Sequence, residues 1–411
     1  MANHSGFIYD LSEDIRKLKG TCDNTKGCEH LLMKQYDVIV IGSGFAGAVS
    51  ARRFADEGKR VLLLERRSHI AGNAYDFFDE TSVLVHRYGP HIFHTNDEEV
   101  FAYLSNFTKW IEYEHRVVAN IRGLHIPLPF NFSSLELIFG EKATLLQQKL
   151  KENFGDEKKI SIFNLRESEN KDVAELGDYV YENIYLHYSQ KQWGEHFAQL
   201  DPGTFLRVPV LLSYDDRYFQ DTWQGVPADG YTQMIQNMLD HELIELRLNT
   251  NGQDFLSLLE GKIFFKGEPY FRLVIYTGAI DELFGYRYGR LPYRTLDFSF
   301  ETHKTEWYQD HSVINYTVDQ QYTRITEYKH LTKQNLKSYT TISKEYSREF
   351  TGRDGEIPYY PISSESSSDL YQRYADIAKQ YPNLHLLGRL AEYRYYNMET
   401  VVAQALKFSK H

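Results

Sequence analysis

The pattern of apolar and polar positions changes abruptly at Tyr36. The residues before it are mostly polar, and we expect 1–35 to form a flexible N-terminal extension. An apolar run at 38–41 then ends in a glycine, apolar residues recur with a helical period through 45–55, and a second apolar run at 61–64 ends in Glu65. This order predicts strand, glycine turn, helix and strand, the β-α-β unit of a buried parallel sheet.

The rest of the chain alternates between helical and strand patterns. The predicted helices are 98–110, 133–153, 173–192 and 398–408, and the predicted strands are 117–126, 243–248, 271–276, 296–300, 313–316 and 384–387. We therefore predict an α/β fold in which a Rossmann-like domain carries an inserted helical domain and a second, mainly antiparallel sheet. The predicted segments are 36–97 for the β-α-β part, 98–210 for the helical insertion with a mobile loop, 211–380 for the return to the first domain and the second sheet, and 381–411 for a final strand and helix.

Composition narrows the class of protein. The 411 residues are 42% hydrophobic and 25% charged, which is typical of a globular protein. The formal net charge of -11 argues against a surface that binds nucleic acid. No apolar run approaches the roughly 18 residues of a membrane span. With only Cys22 and Cys28, whose spacing matches no common zinc site, we expect a cytoplasmic protein without a bound metal.

The first glycine turn carries the clearest chemistry. Gly42-Ser43-Gly44-Phe45-Ala46-Gly47 fits G-x-G-x-x-G at the junction of a predicted strand and helix. Such a turn lets the backbone approach a pyrophosphate at the N-terminus of the helix. Glu65 lies 18 residues further, at the end of the second strand, where a carboxylate can accept a hydrogen bond from a ribose 2′-OH. The spacing therefore predicts a dinucleotide site.

Two further segments bear on which dinucleotide binds. Residues 66–73, which read RRSHIAGN, resemble the segment that turns back onto the cofactor in FAD-binding proteins of the glutathione reductase type, although those usually have Gly-Gly where this chain has Ala71-Gly72. Gly388-Arg389, after a late strand, resembles the segment that holds the flavin ribityl chain in the same proteins. Both resemblances imply FAD.

A set of longer motifs is more specific. They are YGPHIFHTN at 88–96, YSQKQWG at 188–194, RVP at 207–209, GYT at 230–232, YTR at 322–324, PYYP at 358–361 and GRLAEYRYYNM at 388–398. In this order they resemble the UDP-galactopyranose mutases, flavoenzymes that interconvert the pyranose and furanose forms of UDP-galactose. The resemblance runs from about Tyr36 to the C-terminus.

The resemblance implies roles for particular residues. His94, Arg207 and Arg324 are expected in catalysis, with the two arginines clamping the UDP diphosphate and Arg207 moving in with substrate. The expected cofactor residues are Gly42, Ser43, Gly44, Phe45, Ala46, Gly47, Glu65, Arg66, Gly72, Asn73, His91, Ile92, Gly388, Arg389, Tyr396, Asn397 and Met398. The expected substrate residues are Tyr185, Tyr188, Trp193, Arg207, Tyr218, Asn315, Arg324, Tyr360, Arg389 and Tyr395. The resemblance includes mutases with Asp at the position of Asn397, which leaves the exact sugar open.

The implied reaction uses FAD without net redox change. Reduced flavin N5 displaces UDP from the anomeric carbon of UDP-galactose, and a covalent flavin-sugar adduct lets the ring reclose in the other size. The resemblance also implies an external reductant such as NAD(P)H, a homodimer, and delivery of galactofuranose to cell-surface glycans.

Three alternatives stay open from the sequence. The substrate could be another nucleotide sugar, such as UDP-N-acetylgalactosamine or dTDP-fucose. The β-α-β unit alone would also fit an FAD-dependent amine or carotenoid oxidoreductase, or a protein that binds a nucleotide sugar without turnover. The paired arginines favour a diphosphate substrate over an amine.

Overall fold

A computed structural model describes residues 36–194 and 208–409. The predicted N-terminal extension, both cysteines and Arg207 lie outside the described residues. Within them no helix is long and apolar enough to cross a membrane. The predicted α/β class is confirmed, with a Rossmann-like parallel sheet and a separate, mainly antiparallel one.

The parallel sheet has five strands in the order β12-β2-β1-β16-β22, and every neighbouring pair is parallel. Its strands carry mostly aliphatic side chains because both faces of the sheet are covered. One face packs against helices α1, α8 and α12, and the other against a small β13-β14-β15 sheet and helix α11. The bounds are β1 Val38–Ile41, β2 Val61–Leu64, β12 Ile244–Arg247, β13 Leu256–Leu259, β14 Lys262–Phe265, β15 Glu268–Pro269, β16 Leu273–Tyr276, β22 Leu384–Leu386, α1 Phe45–Asp56, α8 Tyr231–Leu239, α11 Glu365–Ala378 and α12 Met398–Phe408.

The second large sheet has seven strands in the order β21-β17-β20-β19-β18-β7-β8. Only the β18-β7 pair is parallel. The strands are β7 Val117–Ile121, β8 Leu124–Leu128, β17 Tyr293–His303, β18 Val313–Tyr316, β19 Arg324–Glu327, β20 Thr340–Glu349 and β21 Tyr360–Pro361. Short helices α9 Ile280–Leu283 and α10 Tyr328–Thr332 flank these strands in sequence.

The segment predicted as a helical insertion forms a helical layer and also adds two strands, β7 and β8, to the seven-stranded sheet. Four of its helices and a π-helical stretch share an apolar core with those two strands. They are α3 Phe132–Phe139, α4 Ala143–Phe154, α5 Ile162–Arg166, α6 Lys171–Val180 and the π-helical stretch Tyr181–Leu186. Helix α2 Glu98–Ser105 packs into the core beside the parallel sheet, and α7 His187–Trp193 follows the π-helical stretch. The remaining strands are β3 Asp76–Phe78, β4 Leu84–His86, β5 Phe93–Thr95, β6 Trp110–Glu112, β9 Lys159–Ile160, β10 Val210–Leu211 and β11 Trp223–Pro227.

Three predicted elements in this segment are divided differently in the structure. The helix predicted over 98–110 ends at Ser105, and Trp110 begins strand β6. The strand predicted over 117–126 is a hairpin, because Arg122 and Gly123 both adopt positive φ. The helix predicted over 133–153 is interrupted at Gly140, whose φ of 54° ends α3. In each case a local turn outweighs the apolar periodicity.

Candidate functional site

The first cavity lies at the carboxyl ends of the parallel strands, and we call it the edge cavity. Gly42 follows β1 with a φ of 101°. A Cβ there would lie 2.1 Å from Oγ1 of Thr277, the residue that directly follows the neighbouring strand β16. Gly47 sits so close to the turn that a Cβ would lie 1.8 Å from the Gly42 carbonyl oxygen. The two glycines therefore allow β1 to turn tightly into α1.

Helix α1 presents an uncapped N-terminus to the edge cavity. Its N-cap is Gly44, which has no side chain to accept from the first N–H groups. Gly72, with a φ of 57°, approaches from the opposite side, and a Cβ on Gly44 would lie 3.8 Å from its Cα. The open N–H groups and the absence of side chains form a cradle that fits a pyrophosphate.

A buried carboxylate holds the walls of this cavity together. Glu65 Oε2 accepts from the Ser43 N–H at 2.9 Å and from Ser43 Oγ at 2.7 Å, and Oε1 accepts from the Arg67 N–H at 2.9 Å. Arg67 donates through Nη2 to Asn73 Oδ1 at 2.9 Å, and Arg66 pairs with Glu282 at 3.1 Å. Buried Nη1 of Arg67 has no partner among the described residues, which suits an anionic ligand.

A second helix N-terminus closes the edge cavity. Gly388 has a φ of 94°, and Arg389 donates through Nη2 to the Tyr396 carbonyl at 2.6 Å, which folds the 388–397 loop back on itself. Helix α12 then starts at Met398 after Asn397, whose side chain does not cap it. Asn397 and Met398 line the cavity. The positive end of α12 thus faces the edge cavity and favours negative charge there.

Two neighbouring histidines, His86 and His91, have their ring centres 6.2 Å apart and their planes tilted by 47°. The His91 N–H donates to His86 Nδ1 at 3.0 Å, and the Gly89 carbonyl oxygen lies 2.8 Å from His91 Nδ1. Burial lowers the pKa of His86 to about 4, and burial together with the neighbouring His86 lowers the pKa of His91 to about 4. Both imidazoles are therefore neutral at pH 7.

The second cavity encloses about 560 Å³ against the seven-stranded sheet, and we call it the sheet cavity. It adjoins the edge cavity, because six residues line both: Asn73, His91, Tyr359, Arg389, Asn397 and Met398. Molecules held in the two cavities would therefore be neighbours.

Three polar side chains form one row across the floor of the sheet cavity. Asn315 on β18 pairs in register with Arg324 on β19, which pairs with Glu345 on β20. Directly opposite residues on neighbouring strands point to the same face. All three line the cavity, so the antiparallel register places an amide, a guanidinium and a carboxylate side by side.

Arg324 is the central charge of that row. Its Nε lies 3.3 Å from Glu345 Oε1, and its Nη2 donates to the Tyr188 hydroxyl at 2.7 Å. Although burial opposes the charged form, Glu345 and the surrounding phenols raise the pKa of Arg324 above its usual value. The guanidinium is therefore a permanent, preoriented cation that suits a phosphate group.

Three buried polar atoms of the sheet-cavity lining make no hydrogen bond among the described residues. They are Asn315 Oδ1, His115 Nδ1 and Arg324 Nε, of which only the last has an ion-pair contact, with Glu345 at 3.3 Å. Burial, with Arg324 and His94 nearby, lowers the pKa of His115 to about 3. A buried acceptor and a neutral imidazole without partners carry a desolvation cost that a polar ligand would relieve.

His94 is held on a different wall. On β5 its Nδ1 lies 2.9 Å from Asp221 Oδ2, and Asn96 Nδ2 donates to Asp221 Oδ1 at 2.9 Å. Its ring stacks on Phe219, with centroids 3.6 Å apart and planes 12° apart. The carboxylate and the stack fix the imidazole and leave Nε2 as the ring nitrogen that can serve a ligand.

Aromatic rings form the opposite wall. Tyr360 and Tyr395 stack with centroids 5.2 Å apart, and the Arg389 guanidinium lies 5.1 Å from the Tyr395 ring centre and 5.5 Å from that of Tyr360. Trp193, at the end of α7, lies behind this wall, with its ring centre 6.3 Å from that of Tyr360. This wall offers flat faces with hydroxyl tips, which suit a nucleotide.

The structure brings most of the predicted site residues together. Of the predicted cofactor residues, all but Gly47 and Ile92 line the edge cavity. Gly47 serves the close packing of α1 on β1, and Ile92 lines the sheet cavity instead. Of the predicted catalytic and substrate residues, the sheet cavity has His94, Tyr218, Asn315, Arg324, Tyr360, Arg389 and Tyr395 in its lining.

The predicted residues of α7 and the preceding π-helical stretch lie behind the lining. Tyr185 donates to the Val208 carbonyl at 2.6 Å, and Tyr188 accepts from Arg324. Lys191 fixes this helix to the turn after β18 by donating to the carbonyl of Gln320 at 2.9 Å. Tyr185, Tyr188 and Trp193 are therefore placed to act through neighbouring groups in this conformation, while Arg207 lies outside the described residues.

Sequence reasoning missed several residues of the two cavities. Arg67 directly follows a predicted site residue, and its proximity to the strand end was the available signal. Glu345 lies on β20, a strand that the alternating 340–349 segment could have indicated. His115 is a single histidine outside the motifs, and nothing in its local sequence marks it.

The GYT motif has a structural role. Asp76 accepts from the Tyr231 N–H at 2.6 Å and caps α8.

Comparisons with known proteins agree with this geometry. A family model described as UDP-galactopyranose mutase matches residues 183–395, and one described as NAD(P)-binding Rossmann-like domain matches 40–107. A UDP-galactopyranose mutase of Mycoplasma pneumoniae is 38% identical over 90% of this chain and 95% of its own. A dTDP-fucopyranose mutase of Escherichia coli is 35% identical over 90% of this chain and 96% of its own. A crystal structure of reduced UDP-galactopyranose mutase shares the fold, with a TM-score of 0.69 at 15% identity over 92% of this chain and 93% of its own.

Proposed function

The chain belongs to the UDP-galactopyranose mutase family, and from this premise we propose that it interconverts UDP-galactopyranose and UDP-galactofuranose. The observation that carries the proposal is the junction of the two cavities. A cradle suited to a dinucleotide pyrophosphate shares six lining residues with a cavity that holds a buried, permanently charged arginine. This arrangement suits a cofactor that reacts directly with a nucleotide sugar.

We propose FAD as the group held in the edge cavity. The residues fit it: the glycine cradle for the pyrophosphate, Glu65 near the adenosine ribose, and Arg67 with an unpartnered buried nitrogen. When bound and reduced, FAD would supply a nucleophilic N5 for covalent catalysis of the sugar transfer. The N-terminus of α12, which lines the edge cavity, would favour negative charge on a group held there.

Arg324 is proposed to bind the diphosphate of the substrate. Its guanidinium is already oriented by Glu345 and Tyr188, so little reorganisation is needed as charge develops on the departing UDP. Tyr360 and Tyr395 are proposed to donate their hydroxyls to the same group, and Asn315, whose amide oxygen has no partner among the described residues, is proposed to bind the uridine or the sugar. Arg207 is proposed as the second arm of the clamp.

Two histidines are proposed to serve the reaction as positioned groups. His91, which lines both cavities, has a pKa of about 4 and can position a hydrogen bond without adding charge. His94 is held by Asp221 and Phe219 with one ring nitrogen available to the flavin or the sugar. Preoriented groups of this kind hold the sugar close to the flavin and limit the entropy cost of the transfer.

The cellular setting follows from the family alone. We propose a cytoplasmic homodimer whose flavin is kept reduced by an external donor such as NAD(P)H, and whose furanose product serves cell-surface glycans.

The direct test is product analysis by anion-exchange chromatography. Purified protein is incubated with UDP-galactofuranose, with and without dithionite. We expect UDP-galactopyranose to form only when the flavin is reduced. A yellow, flavin-loaded protein that gives no product under either condition would contradict the proposal, and hydrogen peroxide release with amines would favour an oxidase.

One relative supports a second candidate substrate. The dTDP-fucopyranose mutase is 35% identical, close to the 38% of the Mycoplasma enzyme, so overall identity does not separate the two sugars. Incubation with dTDP-fucopyranose under the same conditions decides between them. We expect a higher kcat/KM for UDP-galactose, and the reverse ratio would assign the chain to the fucose reaction.

A further inference from the structure

A cluster of two histidines and an aspartate lies away from both cavities. His125 is on β8, the last strand of the seven-stranded sheet, and Asp310 and His311 are in the loop before β18. One potential ligand atom from each residue lies within 4.8 Å of the other two. These three described residues are not part of the lining of the edge cavity or the sheet cavity. The cluster therefore has no part in the proposed reaction.

The distances match a metal ligand set. Asp310 Oδ1 lies 2.8 Å from His311 Nδ1 and 3.5 Å from His125 Nδ1. Ligands bound tetrahedrally at the zinc–nitrogen and zinc–oxygen lengths are about 3.3 Å apart. The two measured separations fall on either side of that value, and the ligand atoms of the two imidazoles lie within 4.8 Å of each other. The two imidazoles therefore need to approach each other by at most about 1.5 Å for all three side chains to meet one ion.

The loop that carries two of these residues is held in place by its backbone. Buried Glu327 accepts from the Tyr308 N–H at 3.0 Å and from the Gln309 N–H at 2.9 Å. Gln309 Nε2 donates to the His311 carbonyl at 2.6 Å, and His330 Nε2 lies 3.0 Å from the Gln309 carbonyl. Contacts on both sides of Asp310 thus fix the positions from which its carboxylate and the next imidazole project.

The cluster is also open to solvent. The side chains of His125 and His311 are each 32% exposed, and that of Asp310 is 65% exposed. An ion can enter without rearrangement of the fold, and water can complete its coordination. Two imidazoles and one carboxylate favour zinc and similar first-row cations over magnesium or calcium, which prefer all-oxygen sites.

We propose that His125, Asp310 and His311 bind one divalent zinc-type cation per chain. The ion ties the outermost strand β8 to the loop that leads into β18, the strand that carries Asn315. No local pattern in the sequence indicates this site, because β8 and the loop meet only through the sheet.

The contact of His125 with Asn120 makes the proposal more specific. Asn120 Nδ2 lies 3.3 Å from His125 Nε2, and Asn120 Oδ1 accepts from the Gly123 N–H at 2.9 Å. Binding of a metal at Nδ1 places the ring proton on Nε2, where an acceptor is needed. Asn120→Asp keeps an acceptor for Gly123 and supplies one for His125, so it is expected to tighten zinc binding about 10-fold.

The experiment is a titration of the full, untagged flavoprotein with zinc chloride by isothermal calorimetry after chelator treatment. The background is Cys22→Ser/Cys28→Ser, because these thiols would compete for zinc. We expect one ion per chain, and binding weakened ~10-fold or more by His125→Gln, Asp310→Asn or His311→Gln. His241→Gln is the matched control, since its ring lies 3.8 Å from one carboxylate, Asp56, and within the described residues it belongs to no group of three ligands.

The outcomes separate clearly. Absence of zinc binding in the cysteine-free background overturns the proposal, and so does unchanged affinity in His125→Gln or His311→Gln. Flavin absorbance and circular dichroism establish that each variant is folded. The Asn120→Asp variant supplies an arm that does not depend on loss of function: tighter binding supports the site, and unchanged or weaker binding argues against Nδ1 of His125 as a ligand.

Discussion

The edge cavity and the sheet cavity adjoin, but they are built from different parts of the chain. The edge cavity is formed mainly by backbone, with glycines that remove side chains and two helix N-termini that offer N–H groups. The sheet cavity is formed by side chains, with Asn315, Arg324 and Glu345 in one row across three antiparallel strands. This contrast suggests that the first recognises a shared cofactor and the second decides what is done with it. Substitutions should therefore separate cofactor binding from turnover.

The largest effect is expected from Gly44→Val. A Cβ at this position meets only ordinary contact, 3.8 Å from Gly72 Cα, so the protein should fold, but the side chain would fill the space of the pyrophosphate. We expect complete loss of flavin and of activity, measured by absorbance of the purified protein and by product analysis. Gly58→Ala, at the other end of α1, is the control: nothing lies within 4 Å of its Cβ, and its positive φ should lower stability while flavin is kept. If Gly44→Val retains flavin, the backbone cradle of the edge cavity does not bind the pyrophosphate, and the proposed contrast between the two cavities is wrong.

Arg324→Ala should have the second largest effect, on turnover and not on flavin. Loss of a preoriented cation at the departing diphosphate should lower kcat/KM by about 10³-fold with flavin absorbance unchanged. The substitution also leaves Glu345 as an unpaired carboxylate that is only 2% exposed, which is itself destabilising. The double variant Arg324→Ala/Glu345→Gln controls for this charge. Activity restored by the second substitution would show that the unpaired carboxylate, and not the lost arginine, caused the defect.

The edge cavity and the sheet cavity also differ in how much of each could be predicted from the sequence. The edge cavity was predictable because a tight strand-helix turn needs glycines at fixed spacing, so Gly42, Gly44 and Gly47 identify it locally. The row in the sheet cavity depends on the register between strands that are far apart in the chain. Arg324 and Asn315 were predicted only through a family resemblance, and Glu345, which sets the orientation of Arg324, was missed.

The same distinction explains the errors in secondary structure. Helix α12 was predicted at its observed bounds because its apolar period is unbroken from Met398 to Phe408. The predicted strand 117–126 is a hairpin because the Arg122-Gly123 turn interrupts a run that remains apolar on both sides. Apolar periodicity reports burial, and it does not report where the chain reverses.

Asn315→Ala should have a smaller effect, confined to substrate binding. Its Oδ1 is buried without a partner, so a ligand donor that reaches it gains a hydrogen bond of about 1 kcal/mol. We expect KM to rise about 5- to 10-fold with kcat within 2-fold, measured with reduced enzyme. Asn315→Asp, which keeps the shape but adds a negative charge beside the diphosphate site, should raise KM further. A fall in kcat with unchanged KM would mean instead that Asn315 makes its interaction with the substrate only in the transition state.

The smallest expected effect is on the pH dependence of stability. It tests whether water is excluded from His115 in the sheet cavity. Burial lowers the pKa of His115 to about 3, below the ordinary value near 6.5, so the unfolded chain takes up this proton first as pH falls. The free energy of unfolding should therefore fall between pH 6.5 and about 3, and this one residue accounts for up to about 2 kcal/mol at pH 5. His115→Gln should reduce the loss of stability between pH 7 and pH 5 by up to that amount, measured by denaturant unfolding. The difference between pH 7 and pH 8 is the internal control, since the imidazole is neutral in both states there. An unchanged loss at pH 5 would mean that water reaches His115, and the sheet cavity would then owe its selectivity to the charge of Arg324 more than to desolvation.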